Sequence, residues 1–292
     1  MVTLVLWLLP GVTDVGLWGG LAVTMLTAYL IMELNNRNAL LRIRSRMMSV
    51  TFLALMLVCP ALHTWSIESV PTLCLMLAYF MLFSSYQQVR PEGYIFHAFL
   101  FISVGSMIFP PLLVMCVGYY VSMLFQLRNF TWRSFLAGLL GAAVPYWVYA
   151  AFAIWNNRLD TAFLYLLDWL EPSLPNYMKL TVNQWVTLGV LFAMALFAFI
   201  HFMHTAYNDK IRTRMLLYVV ITCQVLITVG VVMLPGKFDE QMRLFIANSS
   251  FIIAHYYALG KGRFFNLWFY LSILCLVLLG VYNYFWGNYG LV

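Results

Sequence analysis

Charged residues are scarce in this chain of 292 amino acids, where Asp, Glu, Lys and Arg together make up only 9% of the sequence. A soluble domain has roughly a quarter of its residues charged. Acidic residues are the rarest class, with 10 Asp and Glu against 16 Lys and Arg, which leaves a formal net charge of +6. This composition excludes an ordinary soluble globular domain.

Sequence motifs of several enzyme classes are also missing. The chain has no P-loop, no dinucleotide-binding glycine pattern, no HExxH zinc motif and no serine nucleophile elbow. Its five cysteines form no CxxC pair and each falls within an apolar run, which indicates buried packing and not disulfides. We therefore predict no cofactor and no metal, and nothing in the sequence indicates a nucleic-acid partner.

Long apolar runs are what the chain has in abundance: 64% of its residues are hydrophobic and the mean hydropathy is +0.87. Runs of about 18 or more apolar residues are typical of bilayer-spanning helices, whereas strands of an outer-membrane barrel alternate. The sequence predicts an all-α membrane protein with a single polytopic domain. It would have about ten transmembrane helices, near residues 16–34, 48–66, 71–86, 94–109, 111–126, 134–155, 184–204, 215–234, 244–259 and 265–286.

The count of ten depends on one break. Residues 94–126 form an apolar stretch that is too long for a single crossing, and Pro110 and Pro111 interrupt it in the middle. Because proline cannot continue a helix and restricts the residue before it, we predict a tight hairpin here. The alternative is one long kinked helix, which would invert every later segment.

Basic residues separate into two unequal groups. Four of them lie in one set of gaps between the apolar runs, and twelve lie in the alternate set: 35–47, 87–93, 127–133, 205–214 and 260–264. Since positive charge accumulates on the cytoplasmic side, the larger group predicts a cytoplasmic face, with both termini outside. Six residues form what we call the basic collar, predicted to bind anionic phospholipids and other membrane subunits: Arg42, Arg44, Arg46, Lys210, Arg212 and Arg214.

Two loops of the basic collar resemble each other. Residues 42–47 (RIRSRM) and 210–215 (KIRTRM) share four identities and two similar pairs, and each opens an outward-going helix. The match predicts a parallel internal repeat, with helices 1–4 (about 16–109) equivalent to helices 7–10 (about 184–286). Residues 110–183 would connect the halves, and they include an amphipathic stretch at 161–170 that is typical of a helix lying in the interface.

Ionisable residues near the membrane are few, and most have an ordinary explanation. Glu33 can pair with Arg37 one helical turn later. Four histidines are predicted near the cytoplasmic interface, as a possible inner-face cluster: His97, His201, His204 and His255. Neutral imidazoles at one depth can relay protons or bind metal or haem, but histidine is also common at headgroups. No residue is predicted to be catalytic.

Several motifs together resemble an uncharacterised family of Bacteroidota polytopic inner-membrane proteins. They are the loop 35–38 (NNRN) followed by RIRSRM, the hairpin 109–111 (FPP), and the segment 131–133 (TWR) leading to 144–147 (VPYW). The resemblance covers most of the chain. It implies the inner membrane of a diderm bacterium as the location, and it carries no activity.

Three function classes remain open. A non-enzymatic integral subunit or scaffold of an envelope assembly accounts for the short loops and the scarcity of buried charge. A transporter or lipid flippase accounts for the parallel halves. An enzyme acting on polyprenol-linked sugars or lipids would need an outer carboxylate or arginine pair, for which Asp14, Glu68 and Asp160 are the candidates.

Overall fold

The computed structural model describes Trp7 and Tyr177 together with residues 13–43, 45–156, 180–260 and 262–287. Within these residues the chain is all-helical, with no strand. The helices are α1 (Val15–Asn38), α2 (Met47–Leu57), α3 (Val70–Ser84), α4 (Glu92–Ser106), α5 (Val114–Phe125), α6 (Trp132–Trp155), α7 (Val182–Thr205), α8 (Ile211–Met233), α9 (Phe238–Leu259) and α10 (Arg263–Gly287).

Six helices in the described part of the chain are long and apolar enough to cross a membrane: α1, α3 with the turn before it, α6, α7, α8 and α10. The chain is thus a helical protein suited to embedding in a membrane. Each of the ten helices overlaps one of the ten predicted positions, but ten complete spans stay a prediction.

The second predicted span was too long. Residues 48–66 were expected to form one helix, but α2 ends at Leu57 and two short 3-10 turns follow, Pro60–Leu62 and Ile67–Ser69. The 11 residues of α2 rise only about 16 Å, roughly half the thickness of a hydrocarbon core. Pro60 explains the early end because it disfavours helical backbone in the residue before it.

The predicted break at the proline pair is confirmed. α4 ends at Ser106, a 3-10 turn covers Pro110–Leu113, and α5 follows. The rings of Phe99 and Tyr120 lie 4.6 Å apart between centroids. In one continuous helix residues so far apart in sequence would be about 30 Å apart, so the chain reverses here.

α9 is the central helix of the bundle. Every residue from Glu240 to Tyr256 is buried, and α9 packs against α2, α7, α8 and α3. Helices α6 and α10 lie at the periphery, where only 11% and 17% of their most apolar stretches are buried. α6 packs on α4 through a glycine face that allows close approach: a Cβ at Gly141 would lie 2.3 Å from the carbonyl oxygen of Phe96.

A polar seam follows the boundary between α8 and α9. Gln241, Asn248 and His255 are each seven residues apart, so they share one face of α9. Gln241 lies against Gly230 of α8, and Nδ2 of Asn248 donates to Oε1 of Gln224 at 2.7 Å. Nε2 of His255 lies 2.9 Å from Oδ2 of Asp209, two residues before α8. Polar side chains thus occur at three levels of this boundary, with hydrogen bonds at two of them.

The five basic connections meet at one end of the bundle. Nδ2 of Asn129 donates to Oγ of Ser85 at 2.9 Å, and the Arg37 guanidinium lies over the Phe80 ring. Further bonds, described below, join residues 39–46 to 206–213. We call this the basic end. The opposite end holds residues 58–69, 107–113 and 234–237, where the backbone of Trp65 donates to Gly16 of α1.

Candidate functional sites at the two ends of the bundle

Asp209 is the centre of a polar cluster at the basic end. It follows the 3-10 turn Ala206–Asn208 and stands two residues before α8. Its side chain is 0% exposed and has two partners: Oδ2 lies 2.9 Å from Nε2 of His255, and Oδ1 accepts a hydrogen bond from Nε of Arg42. The cluster therefore joins the loop after α1, the start of α8 and the end of α9.

The charge of Asp209 is set by two opposed influences. Burial acts to raise the pKa of its carboxyl group, because desolvation disfavours the charged form. The hydrogen bonds and the electrostatic influence of His255 and Arg42 lower it, and they prevail, so the pKa lies below the ordinary 3.8. Asp209 is thus ionised at neutral pH, and the cluster is a charged brace.

Each of the two similar loops of the basic collar is bonded to residues that stand just before the other loop. Nη2 of Arg212 donates to Oδ1 of Asn38 at 3.1 Å, and Oγ1 of Thr213 donates to the carbonyl oxygen of Ala39 at 3.2 Å. Together with the Asp209 cluster, these bonds hold the loops side by side at one end of the bundle, as a parallel repeat requires. The repeat itself stays a prediction.

Residues of the basic collar fall into two groups. Arg42 and Arg212 are bonded within the protein. The side chains of Arg46 and Lys210 are exposed, and they make no hydrogen bond or ion pair with any other described residue. Arg214 is half-buried, and its Nε has no partner in the described part of the chain. Arg42 and Arg212 therefore support the fold, whereas the side chains of Arg46 and Lys210 are available to a partner or to lipid headgroups.

The four predicted inner-face histidines are only partly brought together. His255 and His201 are electrostatic neighbours, and His201 packs edge-on against Tyr256 at 4.8 Å between centroids. His204 is exposed on the next turn of α7. His97 lies on α4, which packs mainly on α3 and α6, and bonds a carbonyl of its own helix. Among the described residues no three His, Cys, Asp or Glu side chains converge as metal ligands do.

Arg243 is the centre of a second site, at the opposite end. It lies in the second turn of α9, is 6% exposed, and donates from Nη1 to Oγ of Ser69 at 2.9 Å. Its Nε has no partner in the described residues. A cavity of about 20 Å³ adjoins the guanidinium, and hydroxyl side chains of α1 and α3 also line it.

Acidic side chains surround this arginine. Its electrostatic neighbours are Asp239, Glu68 and Glu240. The carboxyl groups of Glu68 and Glu240 are within hydrogen-bonding reach of each other, and Lys237 forms an ion pair with Glu240 at 3.5 Å. Paired carboxyl groups beside an arginine are able to hold a proton or to bind a polar headgroup.

The other residues that the sequence singled out have simpler places. Asp14 caps α1, with Oδ1 accepting from the backbone of Gly16 at 2.8 Å. Glu33 forms the predicted ion pair with Arg37 at 2.8 Å. Asp160, Arg44 and the predicted interfacial helix at 161–170 lie outside the described residues.

Sequence reasoning missed the centres of both sites. Asp209 is the acidic residue of an otherwise basic connection, a signal that was available. Arg243 was counted only as one of four bases on the outer side. Its partner Ser69 is 174 residues away in the chain, so no local pattern connects them.

No protein-family model matches this chain, and no curated protein or solved structure matches it either.

Proposed function

We propose that the chain is a non-enzymatic integral subunit or scaffold of a bacterial envelope assembly. Its basic end would be the surface that contacts anionic phospholipids or a partner subunit in the inner membrane. The main support is the division within the basic collar: Arg42 and Arg212 brace the two loops, while Arg46 and Lys210 are left exposed. A braced loop pair that displays unbonded cations is suited to a negatively charged partner surface.

Buried polar side chains support the same reading, because several of them bond one helix to another. Asn248 links α9 to α3 and α8, accepting from the hydroxyl of Tyr79 at 2.5 Å and donating to Gln224. Asn283 of α10 donates to Thr187 of α7 and to the carbonyl oxygen of Val58, both at 2.8 Å. Such bonds provide cohesion and specify the fold.

Charge neutralisation with native purification tests this proposal. Arg46→Gln combined with Lys210→Gln removes the exposed charges and leaves the bonds of the loops in place. We expect the wild-type protein to be extracted from native membranes as a stoichiometric complex with a second membrane protein. The double variant should be purified with at least tenfold less of that partner, and its thermal stability should be unchanged.

The matched control keeps the charges and changes the side chains. Arg46→Lys with Lys210→Arg should associate as the wild type does. A wild-type protein that is extracted alone, with anionic lipid bound no better than neutral lipid, would contradict the proposal.

A second candidate is an enzyme acting on polyprenol-linked sugars or lipids, and one specific observation favours it. Glu68 was a sequence candidate for this chemistry, and it lies beside Glu240 and near Arg243. Two carboxyl groups of this kind can serve as general acid and base. Glu68→Gln that abolished formation of a lipid-linked product, with protein levels unchanged, would favour the enzyme over the subunit.

A further inference from the structure

Arg243 has fewer partners than a buried guanidinium requires. It is 6% exposed and offers five N–H donors. One hydrogen bond, to Ser69, is found within the described residues, and no carboxylate there approaches within 4 Å. A buried charge is stable only when hydrogen bonds and counter-charge surround it. Within the described residues, the Nε donor of this arginine therefore has no acceptor.

The cavity beside Arg243 is lined by further hydroxyl groups. Thr24 and Thr27 of α1 and Ser69 and Thr72 of the α3 segment contribute to its wall. Oγ1 of Thr72 is buried and has no partner among the described residues. A guanidinium with several hydroxyls is a set of donors that fits an anionic oxygen. A volume of about 20 Å³ admits one such oxygen, since a water-sized group needs about 10–15 Å³.

Surrounding charges decide what kind of anion fits. Three acidic residues, Asp239, Glu68 and Glu240, act on Arg243, and Lys237 is paired with Glu240. An isolated anion would meet more negative than positive charge here. A ligand that carries a phosphate and a protonated amine a few ångströms apart matches both charges.

The apolar part of the wall indicates where such a ligand comes from. Phe52 and Met56 of α2 line the same cavity. The adjoining helices α1 and α3 are both among those suited to crossing a membrane. A phospholipid would bring its headgroup to this depth while its chains stay in the bilayer, whereas a soluble headgroup would have to leave water.

We propose that Arg243 and Thr72 bind the phosphate of an amine-bearing zwitterionic phospholipid, whose ammonium group faces Glu68 and its acidic neighbours. The site is independent of the basic-end contact surface proposed above, so each can fail without the other. It makes this end of the bundle a specific lipid site and not a general anion-binding surface.

Lipid titration followed by native mass spectrometry tests the site. The purified full chain is titrated with phosphatidylethanolamine, phosphatidylcholine and phosphatidylglycerol in separate experiments. We expect phosphatidylethanolamine to bind at least tenfold more tightly than phosphatidylglycerol. The affinity for phosphatidylcholine should fall between those for the other two lipids, because its methylated amine keeps the charge but donates no hydrogen bond.

Two variants locate the binding. Arg243→Gln should remove the preference for phosphatidylethanolamine. The matched control Asp14→Asn, which changes one charge at the same end of the bundle, should leave that preference in place. Thr72→Val preserves shape and charge, so it tests the site even where Arg243→Gln fails to fold, and it should weaken binding several-fold.

The remaining arm distinguishes the two sources of the headgroup. Free phosphoethanolamine should compete with the lipid only at concentrations at least a hundredfold higher. Equal competition would overturn the assignment to a lipid and leave a site for a soluble amine phosphate. Equal binding of phosphatidylglycerol and phosphatidylethanolamine, or binding unaffected by both Arg243→Gln and Thr72→Val, would overturn the proposal.

Discussion

Each end of the bundle has a buried charged side chain at its centre, and the two side chains differ in how many partners they have. At the basic end, Asp209 is enclosed and has both oxygens occupied, by His255 and Arg42. At the opposite end, Arg243 is similarly enclosed but has one bond and a cavity beside it. A completed cluster holds helices together, whereas an incomplete one leaves a place for something else. The comparison therefore separates a structural brace from a candidate binding site.

Removing the centre of the brace should have the largest effect. Asp209→Ala leaves Arg42 and the buried His255 without their acceptor and separates the two loops. Breaking a buried charge cluster in this way costs about 3 kcal/mol or more. Thermal unfolding in detergent should show this loss, with a much smaller one for Asp14→Ala, which removes only an exposed helix cap. Equal losses would show that Asp209 is no brace.

Replacing Gly20, at the opposite end of the bundle, should have the second-largest effect on stability. A Cβ at Gly20 of α1 would lie 1.8 Å from the carbonyl oxygen of His63, so Gly20→Ala must push the chain after α2 away from α1. We expect a loss of about 1–3 kcal/mol, typical of overpacking. The matched control is Gly189→Ala in α7, where a Cβ would meet nothing within 4 Å.

That control should be neutral or stabilising, because alanine favours helix by about 1 kcal/mol over glycine. A Gly20→Ala protein as stable as the wild type would mean that α1 and the loop near His63 are not packed as described. In that case the cavity beside Arg243, whose wall includes α1, would also need revision.

Asn248 offers a test midway between the ends. Asn248→Leu removes the bonds to Tyr79, Gln224 and the carbonyl oxygen of Val220 while keeping a side chain of similar size. Three buried polar groups then each lose a hydrogen bond, at a cost of about 1–3 kcal/mol. Restoring stability with Tyr79→Phe in the same protein would show that the cost comes from the unpaired hydroxyl. No recovery would point instead to altered packing.

Acid should produce the smallest effect, and only at the basic end. Because the pKa of Asp209 is lower in the folded protein, its contribution to stability is complete above the ordinary 3.8 and is lost as pH falls through the lowered value. The stability difference between wild type and Asp209→Asn should therefore be constant near pH 6 and shrink below about pH 4. A difference that grew on acidification would contradict the lowered pKa.

Much of the fold could be predicted from hydropathy and proline positions, because these act locally. The chain reversal at Pro110 and Pro111 and the Glu33–Arg37 pair are of this kind, and both are confirmed. The early end of α2 was missed because the apolar composition continues past Leu57 although the backbone geometry changes at Pro60.

Neither site could be predicted in the same way, since each joins distant parts of the chain. Arg42 and Asp209 are 167 residues apart, and Arg243 and Ser69 are 174 apart. The central place of α9 was also not visible. Its polar residues lowered its apparent suitability as a span, yet they are the reason that other helices surround it. The seven-residue spacing of Gln241, Asn248 and His255 was the available signal.

The burial of α9 has a consequence for the biogenesis of the protein. As α9 leaves the insertion machinery it carries Asp239, Glu240 and Arg243 in its first two turns, and charged side chains in a membrane span oppose insertion. The helix before it, α8, is the most hydropathic of the six suited to crossing a membrane. Every partner of α9 except α10 is synthesised earlier. Those helices are therefore available to surround α9 when it is inserted. We therefore expect α9 to pack among helices that are already in the membrane, because its charged residues oppose its entry into lipid alone.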